Sequence, residues 1–300
     1  METLRVGSQH PDWKVSLHGG HSSKYCDHAT STLEEMLEAA CDAGMRTYGV
    51  TEHAPRVEPE RLYDEEVAMG WNVDTLDRLF GEYAAEVDRL KRDYAGTMTV
   101  LKGFEAEVVP EGRYAGVMLG FRERHHFDYI VGSVHYVAGY IIDYLPGRYE
   151  KAVEICGSPE ALAVRYFHDV ARMVEALRPE VVGHLDLFRR RFVSDDAAST
   201  PPIRRAAMEA LEVIRRHESI IDVNTAGLRL GFGYPYPAPW LVQAANKMGI
   251  AFCFGDDSHN TTQVGAGIID AREYLMSHGV THIETLEPGT SGVGRKKIAL

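Results

Sequence analysis

The chain has 300 residues, of which 45% are hydrophobic and 25% charged, and its formal net charge at pH 7 is −12. This composition excludes disordered and fibrous proteins, because it supplies ample apolar residues for a large core. The acidic balance argues against general nucleic-acid binding, which needs a basic surface. No apolar run approaches the ~20 residues of a membrane helix, so we expect no membrane attachment.

Cysteine usage and the amino terminus both indicate a cytoplasmic protein. The four cysteines are scattered, without a CxxC pair, at Cys26, Cys41, Cys156 and Cys253. Met1–Val6 has no basic region followed by an apolar stretch, so no secretory signal is expected. Few cysteines and no signal are typical of free thiols in a reducing cytoplasm. The sequence leaves the oligomeric state open.

Apolar runs that predict strands alternate with segments of helical periodicity. The clearest helix begins at Thr32, which forms a capping box with Glu35, and it ends at Gly44. Further helices are predicted over 74–94, 159–177, 202–217, 239–248 and 266–278. Strands are predicted over 14–18, 47–51, 98–104, 129–132, 180–183, 219–223 and 250–254. The segment 135–157 is predicted to be irregular.

This alternation predicts an α/β fold in which parallel strands are joined by helical crossovers. A barrel fits better than an open sheet. No strand is followed by a glycine-rich phosphate loop, which excludes dinucleotide and P-loop binding. There is no internal repeat or linker, so residues 1–300 are expected to form a single barrel domain.

Ligand-type side chains follow six of the seven predicted strands. In a parallel barrel all carboxyl-terminal strand ends open on one face, where catalytic residues gather. We therefore expect nine side chains to converge there: His18, His21, His28, His53, Glu105, His135, His184, Asp257 and His259. Such mixed ligands suit Zn, Mn or Fe, and nine of them predict two or three divalent ions sharing a bridging carboxylate. Cys26 is either a thiolate ligand or a packed thiol.

Six segments around these residues form a series in the order His21–Ala29, Thr51–Arg56, Gly103–Glu105, Gly132–His135, Gly183–Leu187 and Asp256–His259. The series resembles the signature blocks of the polymerase-and-histidinol-phosphatase (PHP) superfamily. Two further blocks resemble its monofunctional histidinol-phosphate phosphatases, namely Ser133–Tyr136 with Ile142–Asp143, and Asn224–Arg229. The resemblance covers roughly residues 14–265.

The resemblance implies a distorted (β/α)7 TIM-like barrel with a trinuclear metal centre. It assigns to a first ion the ligands His18, His21, Glu105 and Asp257. Glu105 would bridge to a second ion, completed by His135 and His184. A third ion would be held by His28, His53 and His259. The residues expected to take part directly in catalysis are Glu105, Asp257 and His259.

One stretch departs from the family pattern. The family usually begins with two histidines separated by one residue, whereas here Gly19 and Gly20 separate His18 from His21. The match from His21 to His28 identifies His21 as the family's second histidine, so His18 lies one place early. We expect the glycines to let the backbone bulge and keep both imidazoles on the ion; otherwise His18 is only structural.

The predicted activity is that of a metal-dependent phosphomonoesterase, a hydrolase that converts L-histidinol phosphate to L-histidinol and phosphate in histidine biosynthesis. The expected partner is thus a small phosphate ester. Planar, bidentate guanidinium groups suit a phosphate clamp, for which the candidates are Arg56, Arg189 and Arg229. Tyr234–Pro237 with Trp240 either lines a substrate pocket or forms a stiff turn and core.

Two other functions remain open. The first is a PHP-type phosphoesterase that acts on another small phosphate, a nucleotide or an oligonucleotide. The second is a non-catalytic metal-binding regulatory protein, which the intact ligand set disfavours. An amidohydrolase-like enzyme would need a lysine ligand on a strand, and no predicted strand end carries one.

Overall fold

The computed structural model describes residues 11–144, 147–289 and 292–300, so Met1–Val6 lies outside the described residues. The strands in chain order are β1 (Val15–Ser16), β2 (Thr47–His53), β3 (Thr99–Ala106), β4 (Tyr129–Gly132), β5 (Tyr136–Val137), β6 (Tyr140–Ile141), β7 (Val181–Val182), β8 (Ile220–Asn224), β9 (Phe252–Gly255), β10 (His282–Gly289) and β11 (Gly292–Ala299).

The helices are α1 (Leu33–Asp42), α2 (Asp64–Ala68), α3 (Val73–Asp93), α4 (Tyr114–His125), α5 (Arg148–Cys156), α6 (Pro159–Leu177), α7 (Pro201–Arg216), α8 (Ala226–Arg229), α9 (Pro239–Lys247) and α10 (Ile268–Ser277). Short 3₁₀ turns lie at Pro59–Arg61, Leu187–Arg191, Ala197–Ser199 and Thr261–Gln263. Within the described ranges, none of the helices is long and apolar enough to cross a membrane.

Seven strands form one parallel sheet in the order β1-β2-β3-β4-β7-β8-β9. Its two edges meet. The Leu17 N–H donates to the Phe254 carbonyl at 2.8 Å, and the Asp257 N–H donates to the His18 carbonyl at 2.8 Å. The sheet is therefore a nearly closed barrel surrounded by helices, which confirms the predicted fold class.

Tyr129 fills the centre of this barrel. Its hydroxyl donates to the Leu17 carbonyl at 2.8 Å. A Cβ atom at Gly49 would lie 1.9 Å from the Tyr129 hydroxyl oxygen, and one at Gly103 would lie 2.5 Å from its ring. Only glycine fits at either position, because real Cβ atoms do not approach so closely.

An antiparallel hairpin of β10 and β11 covers the amino-terminal end of the barrel. Leu286 of this hairpin is fully buried in the inner cluster with Leu17, Leu101 and Tyr129. Arg295 donates to the Glu218 carbonyl, just before β8. The opposite end, where the strands finish, is thus left open for the site.

The capping box predicted for α1 is present. The Thr32 N–H donates to the Glu35 carboxylate at 2.8 Å, and the Glu35 N–H donates to the Thr32 hydroxyl at 3.3 Å. Other elements differ from prediction. The segment 135–157 was expected to be irregular, which is wrong, since it contains β5, β6 and α5.

The helices and strands that the sequence does not predict contain few buried apolar residues. Helix α5 has 9 residues between two glycines in left-handed conformation, Gly147 and Gly157, and buries only Ala152. Helix α4 buries only Met118 and Phe121 among its 12 residues. With so few buried positions, the apolar residues show little periodicity along the sequence. Helices α4 and α5 and the largely exposed β10–β11 hairpin are therefore hard to recognise from the sequence.

Candidate metal and active site

Imidazoles and carboxylates crowd the carboxyl-terminal ends of the barrel strands, and Glu105 at the end of β3 lies at their centre. Its Oε1 atom lies 3.2 Å from Nε2 of His18 and 3.1 Å from Nε2 of His184. Its Oε2 atom lies 2.8 Å from Nδ1 of His53, and Nε2 of His135 lies 3.6 Å from Oε1. The two oxygens of one carboxylate therefore face different imidazoles.

Electrostatics keep Glu105 ionised although it is only 2% exposed. Burial alone would raise the pKa of this carboxyl, but the imidazoles of His135 and His18 hold it well below its usual range. A buried, ionised carboxylate among imidazoles is a natural partner for cations.

A second group contains His18, His21 and Asp257, whose ligand atoms all lie within 4.8 Å of one another. Nε2 of His21 lies 3.6 Å from Oδ1 of Asp257. Both histidines of the atypical opening motif therefore face the same carboxylate.

The glycine pair makes this convergence possible. Gly20 has a left-handed φ of +74°, and a Cβ atom there would lie 2.8 Å from Cγ1 of Val50. A Cβ atom at Gly19 would lie 2.0 Å from Oδ1 of Asp256. The Gly19 N–H donates to the Thr51 hydroxyl at 3.0 Å, which holds the bulge against β2. Only glycines allow the extra residue to be absorbed without moving an imidazole out of the site.

The third group brings together His28, His53 and His259 with Cys26, again with ligand atoms within 4.8 Å of one another. The ring centroids of His28 and His259 are 4.7 Å apart, and those of His28 and His53 are 5.5 Å apart. Burial lowers the pKa of His53 to about 4 and that of His259 well below its usual range. These two imidazoles are thus neutral, as metal ligation requires. All nine predicted side chains therefore converge.

Several ring nitrogens in this cluster fit a cation better than a hydrogen bond. Within the described part of the chain, neither ring nitrogen of the fully buried His21 has a hydrogen-bond partner, nor do Nε2 of His53 and Nε2 of His259. Buried polar atoms are almost always paired. These orphaned nitrogens, beside carboxylates, match the donor set of divalent transition metals.

In four of the imidazoles, Nδ1 faces a carboxylate that is not itself one of the nine predicted ligands. Nδ1 of His18 lies 2.8 Å from Asp222, and Nδ1 of His135 lies 2.6 Å from Glu107. Asp27 lies 3.1 Å from Nδ1 of His28. Glu52 lies 3.5 Å from Nδ1 of His21, where it supplies a nearby negative charge without a hydrogen bond. Such partners fix ring orientation and tautomer.

Sequence reasoning misses these four carboxylates as site residues. One signal could have found Glu107, because it lies two positions after Glu105 and thus on the same face of an extended strand. Asp222 gives no comparable local signal, since its partner His18 is 204 positions away.

A cavity of about 290 Å³ opens above the cluster. Its floor is formed by Glu105, Asp257 and imidazoles, and its outer wall includes Asp143, Arg190, Arg229 and Tyr236. Arg229 is braced by two backbone carbonyls, donating to that of Asp256 at 2.7 Å and to that of Asp257 at 2.8 Å. It thereby brings a positive charge to the cavity.

The other two predicted arginines do not line this cavity. Arg189 is 3% exposed, and its guanidinium is enclosed by the rings of Phe232, Tyr234 and Tyr236 at 4.3, 4.5 and 5.0 Å. Its Nε lies 3.1 Å from Asp186. The structure therefore places Arg189 behind the cavity wall, and its neighbour Arg190 lines the cavity instead.

Arg56 is held by Glu66, a fully buried carboxylate, and stacks 4.4 Å from the Tyr63 ring. It lines a small recess that also contains His53, Glu105 and His135. Of the predicted aromatic segment, Tyr236 reaches the main cavity, whereas Trp240 packs 4.5 Å from Arg204. The segment thus serves partly as pocket wall and partly as packing.

Comparison with known proteins agrees with this geometry. Residues 18–226 match the PHP domain. The chain belongs to the PHP domain family. It is a PHP-family phosphoesterase whose histidine and glutamate clusters suit divalent metal ions. This confirms the resemblance seen in the sequence.

Relatives of this PHP-family chain share most of its length. It is 32% identical over 289 residues to a Schizosaccharomyces pombe protein named "Probable histidinol-phosphatase", covering 93% of this chain and 92% of that one. It is 26% identical over 292 residues to the Saccharomyces cerevisiae histidinol-phosphatase, covering 86% and 87%.

Two solved structures share the fold of this PHP-family chain. One is described as the "putative histidinol phosphatase hisK from Listeria monocytogenes" and matches with a TM-score of 0.74 and 25% identity, over 86% of this chain and 99% of that one. The other is the Lactococcus lactis histidinol phosphate phosphatase, complexed with zinc, L-histidinol and phosphate. It matches with a TM-score of 0.66 and 18% identity, over 91% and 96%, and bears on the fold alone.

Proposed function

We propose that this protein hydrolyses L-histidinol phosphate to L-histidinol and phosphate, using two or three divalent ions of zinc, manganese or iron. The observation that carries the proposal is the position of Glu105. One of its oxygens faces His18 and His184, and the other faces His53. Because Oε1 lies between His18 and His184, which belong to different groups of ligands, this carboxylate suits a bridge between two cations, and two-metal sites are common in phosphatases.

The proposed ligands follow the three groups of the site. The first ion would be held by His18, His21, Glu105 and Asp257. Glu105 would bridge to a second ion held by His135 and His184, and the third would be held by His28, His53 and His259. Such ions, when bound, lower the pKa of a water molecule and neutralise phosphoryl charge.

Two arginines are proposed to hold the phosphoryl group, namely Arg190 and Arg229, because both face the cavity. A guanidinium presents two parallel donors to a phosphate, and its charge does not depend on pH. Arg189 and Arg56 are instead proposed to stabilise the surrounding loops, since each is already engaged by a buried carboxylate.

The outer wall of the cavity favours a substrate with a positively charged end. Asp143 lines the cavity; its Oδ2 atom lies 3.6 Å from Arg190, and its Oδ1 atom is buried without a hydrogen-bond partner among the described residues. A carboxylate in that position complements the amine of histidinol. The cavity of about 290 Å³ suits a small ester better than an oligonucleotide. Relatives named histidinol-phosphatase also support this substrate.

We further propose that residues 1–300 form a single domain. Leu286 of the carboxyl-terminal hairpin packs into the same inner cluster as Leu17 of the first strand region. Removing the hairpin would expose that cluster to water, so the hairpin and the barrel are expected to unfold together.

The test is to measure phosphate released from L-histidinol phosphate, a nucleoside monophosphate and a simple aryl phosphate, with metal content determined on the same sample. We expect histidinol phosphate to be preferred and more than one ion per chain. Glu105→Gln should lower turnover at least about a hundredfold, because it removes charge between two cations. Glu111→Gln, at an exposed position outside the site, is the matched control.

Activity of Glu105→Gln within tenfold of the parent would contradict the bridging role. A preference for another ester would instead support the alternative phosphoesterase. Bound metal without turnover on any ester would support a regulatory metal-binding protein.

A further inference from the structure

Cys26 lies in the segment that joins β1 to α1 and is 3% exposed. The Tyr25 and Cys26 N–H groups donate to the Ser22 carbonyl at 2.9 and 2.8 Å, forming a turn in this segment. Sγ of Cys26 lies 3.4 Å from Nδ1 and 3.5 Å from Nε2 of His28. The thiol is therefore packed against an imidazole of the third group.

The third group supplies only three imidazole ligands, whereas a four-coordinate ion needs four. The Nε2 atoms of His53 and His259 are buried and lack hydrogen-bond partners in the described ranges. Sγ of Cys26 and ligand atoms from His28, His53 and His259 all lie within 4.8 Å of one another. One sulfur and three imidazole nitrogens form a complete tetrahedral set for zinc.

We propose that Cys26 is the fourth ligand of the third metal site, beside His28, His53 and His259. The inference rests on the metal centre of the proposed function and adds a sulfur ligand to it. On binding, the thiol releases its proton to solvent as the sulfur–metal bond forms, and the thiolate adds one negative charge to three neutral imidazoles. Because thiolate is a soft ligand, this site should favour zinc or iron over manganese.

Cobalt(II) provides a direct test, since it shows a near-ultraviolet charge-transfer band only where a thiolate binds it. Metal-free protein is reconstituted with cobalt for the parent, Cys26→Ser and Cys41→Ser. Cys41 is half-buried on α1 and lies outside the cluster, so its variant is the matched control. We expect the band in the parent and in Cys41→Ser. Cys26→Ser should lack it and hold about one ion fewer per chain, because a ligand is lost.

X-ray absorption at the zinc edge supplies a second measurement that needs no Cys26 variant. The zinc-loaded parent should show a sulfur shell at ~2.3 Å. The same shell should remain in a Cys41→Ser/Cys156→Ser double variant. The remaining thiol, Cys253, lies in the inner barrel cluster with Leu286, and within the described ranges it belongs to none of the groups of ligand atoms at the site.

The outcomes separate this inference from the proposed function. A parent that holds metal and releases phosphate but shows neither band nor sulfur shell would refute sulfur ligation and leave the phosphatase proposal standing. A band that persists in Cys26→Ser would also refute it. A parent that binds no divalent metal would overturn both.

Discussion

Asp222 and His18 lie 204 positions apart in the chain, yet Nδ1 of His18 is 2.8 Å from a carboxylate oxygen of Asp222. Asp222 is fully buried, and a Cβ atom at Gly255 would lie 2.2 Å from its Oδ1. Asn224 donates to the same carboxylate at 3.0 Å. The His18 ring is thereby held with Nε2 directed to Glu105, so Asp222 is a positioning residue for the proposed ligand.

Replacement of Asp222 by asparagine should therefore weaken metal binding. The variant keeps the size of the side chain but loses the charge that orients and polarises His18. Changes of this kind typically lower metal affinity or activity about 10- to 100-fold. Zinc affinity measured against a competing chelator checks this, with the exposed Asp270→Asn as control. Unchanged affinity in Asp222→Asn would mean that His18 does not need this partner.

Arg190→Ala should lower kcat/KM without removing metal. Arg190 lines the cavity and lies 3.6 Å from Asp143, outside the proposed ligand set. Losing one donor to developing charge typically costs about a hundredfold or more. Arg190→Lys should recover only part of the loss, since an ammonium lacks the planar fork. If Arg190→Ala has the same kcat/KM as the parent, Arg190 does not hold the phosphoryl group, and Arg229 remains the only arginine proposed for that role.

Arg189→Ala should instead destabilise the fold. Arg189 and Asp186 are each 3% exposed, with 3.1 Å between Nε and Oδ2. Burial raises the pKa of Asp186, and the Arg189 charge opposes that rise. Removing the guanidinium leaves a buried carboxylate unpaired, which typically costs about 3–5 kcal/mol. Urea unfolding measures this loss. A free energy of unfolding within about 1 kcal/mol of the parent would contradict the buried pairing.

Gly20→Ala should impair both stability and metal binding. At φ +74° an alanine is strained, and its Cβ would lie 2.8 Å from Val50. Gly96→Ala is the matched control, since Gly96 has φ +86° with open space around it. The control should lose only the ~1–2 kcal/mol of a left-handed alanine. Gly20→Ala should lose more and bind less zinc, because the clash displaces His21. Equal losses in both variants would show that the close packing is unimportant.

Metal uptake should release protons near neutral pH. Burial lowers the pKa of His135, but Glu105 and Glu107 outweigh it and raise the pKa to about 10. In His18 burial is likewise outweighed, by Glu105 and Asp222, and the pKa lies well above its usual range. Both imidazoles are thus protonated in the metal-free protein and must lose a proton to become ligands, so affinity should rise with pH.

Zinc added to metal-free protein in weak buffer with a pH indicator should therefore release at least about two protons per chain at pH 7. Glu107→Gln should release fewer protons than the parent at pH above 7, because it lowers the pKa of His135 by removing one of the two carboxylates that raise it. Zinc binding without proton release would show that these histidines are neutral before the metal arrives.

Much of the site could be located from local pattern. Strands were recognisable by apolar runs and helices such as α1 by caps and periodicity, and parallel strands necessarily end on one face of the barrel. The histidines and acids at those ends could thus be grouped before any contact was known. Their proximity follows from secondary structure and its order along the chain, which are both encoded over short stretches.

Tertiary structure alone decided which neighbours act together. Arg189 and Arg190 are adjacent in a 3₁₀ turn, where successive side chains diverge by about 120°, so one enters an aromatic cage and the other faces the cavity. Asp222 meets His18 only because β8 and β1 approach across the closed barrel. Cys26 could be weighed as a ligand or a packed thiol, but only the fold brings it, with the neighbouring His28, to His53 and His259. The partners of these residues lie on segments far apart in the chain, and side-chain type along a single segment carries no information about them.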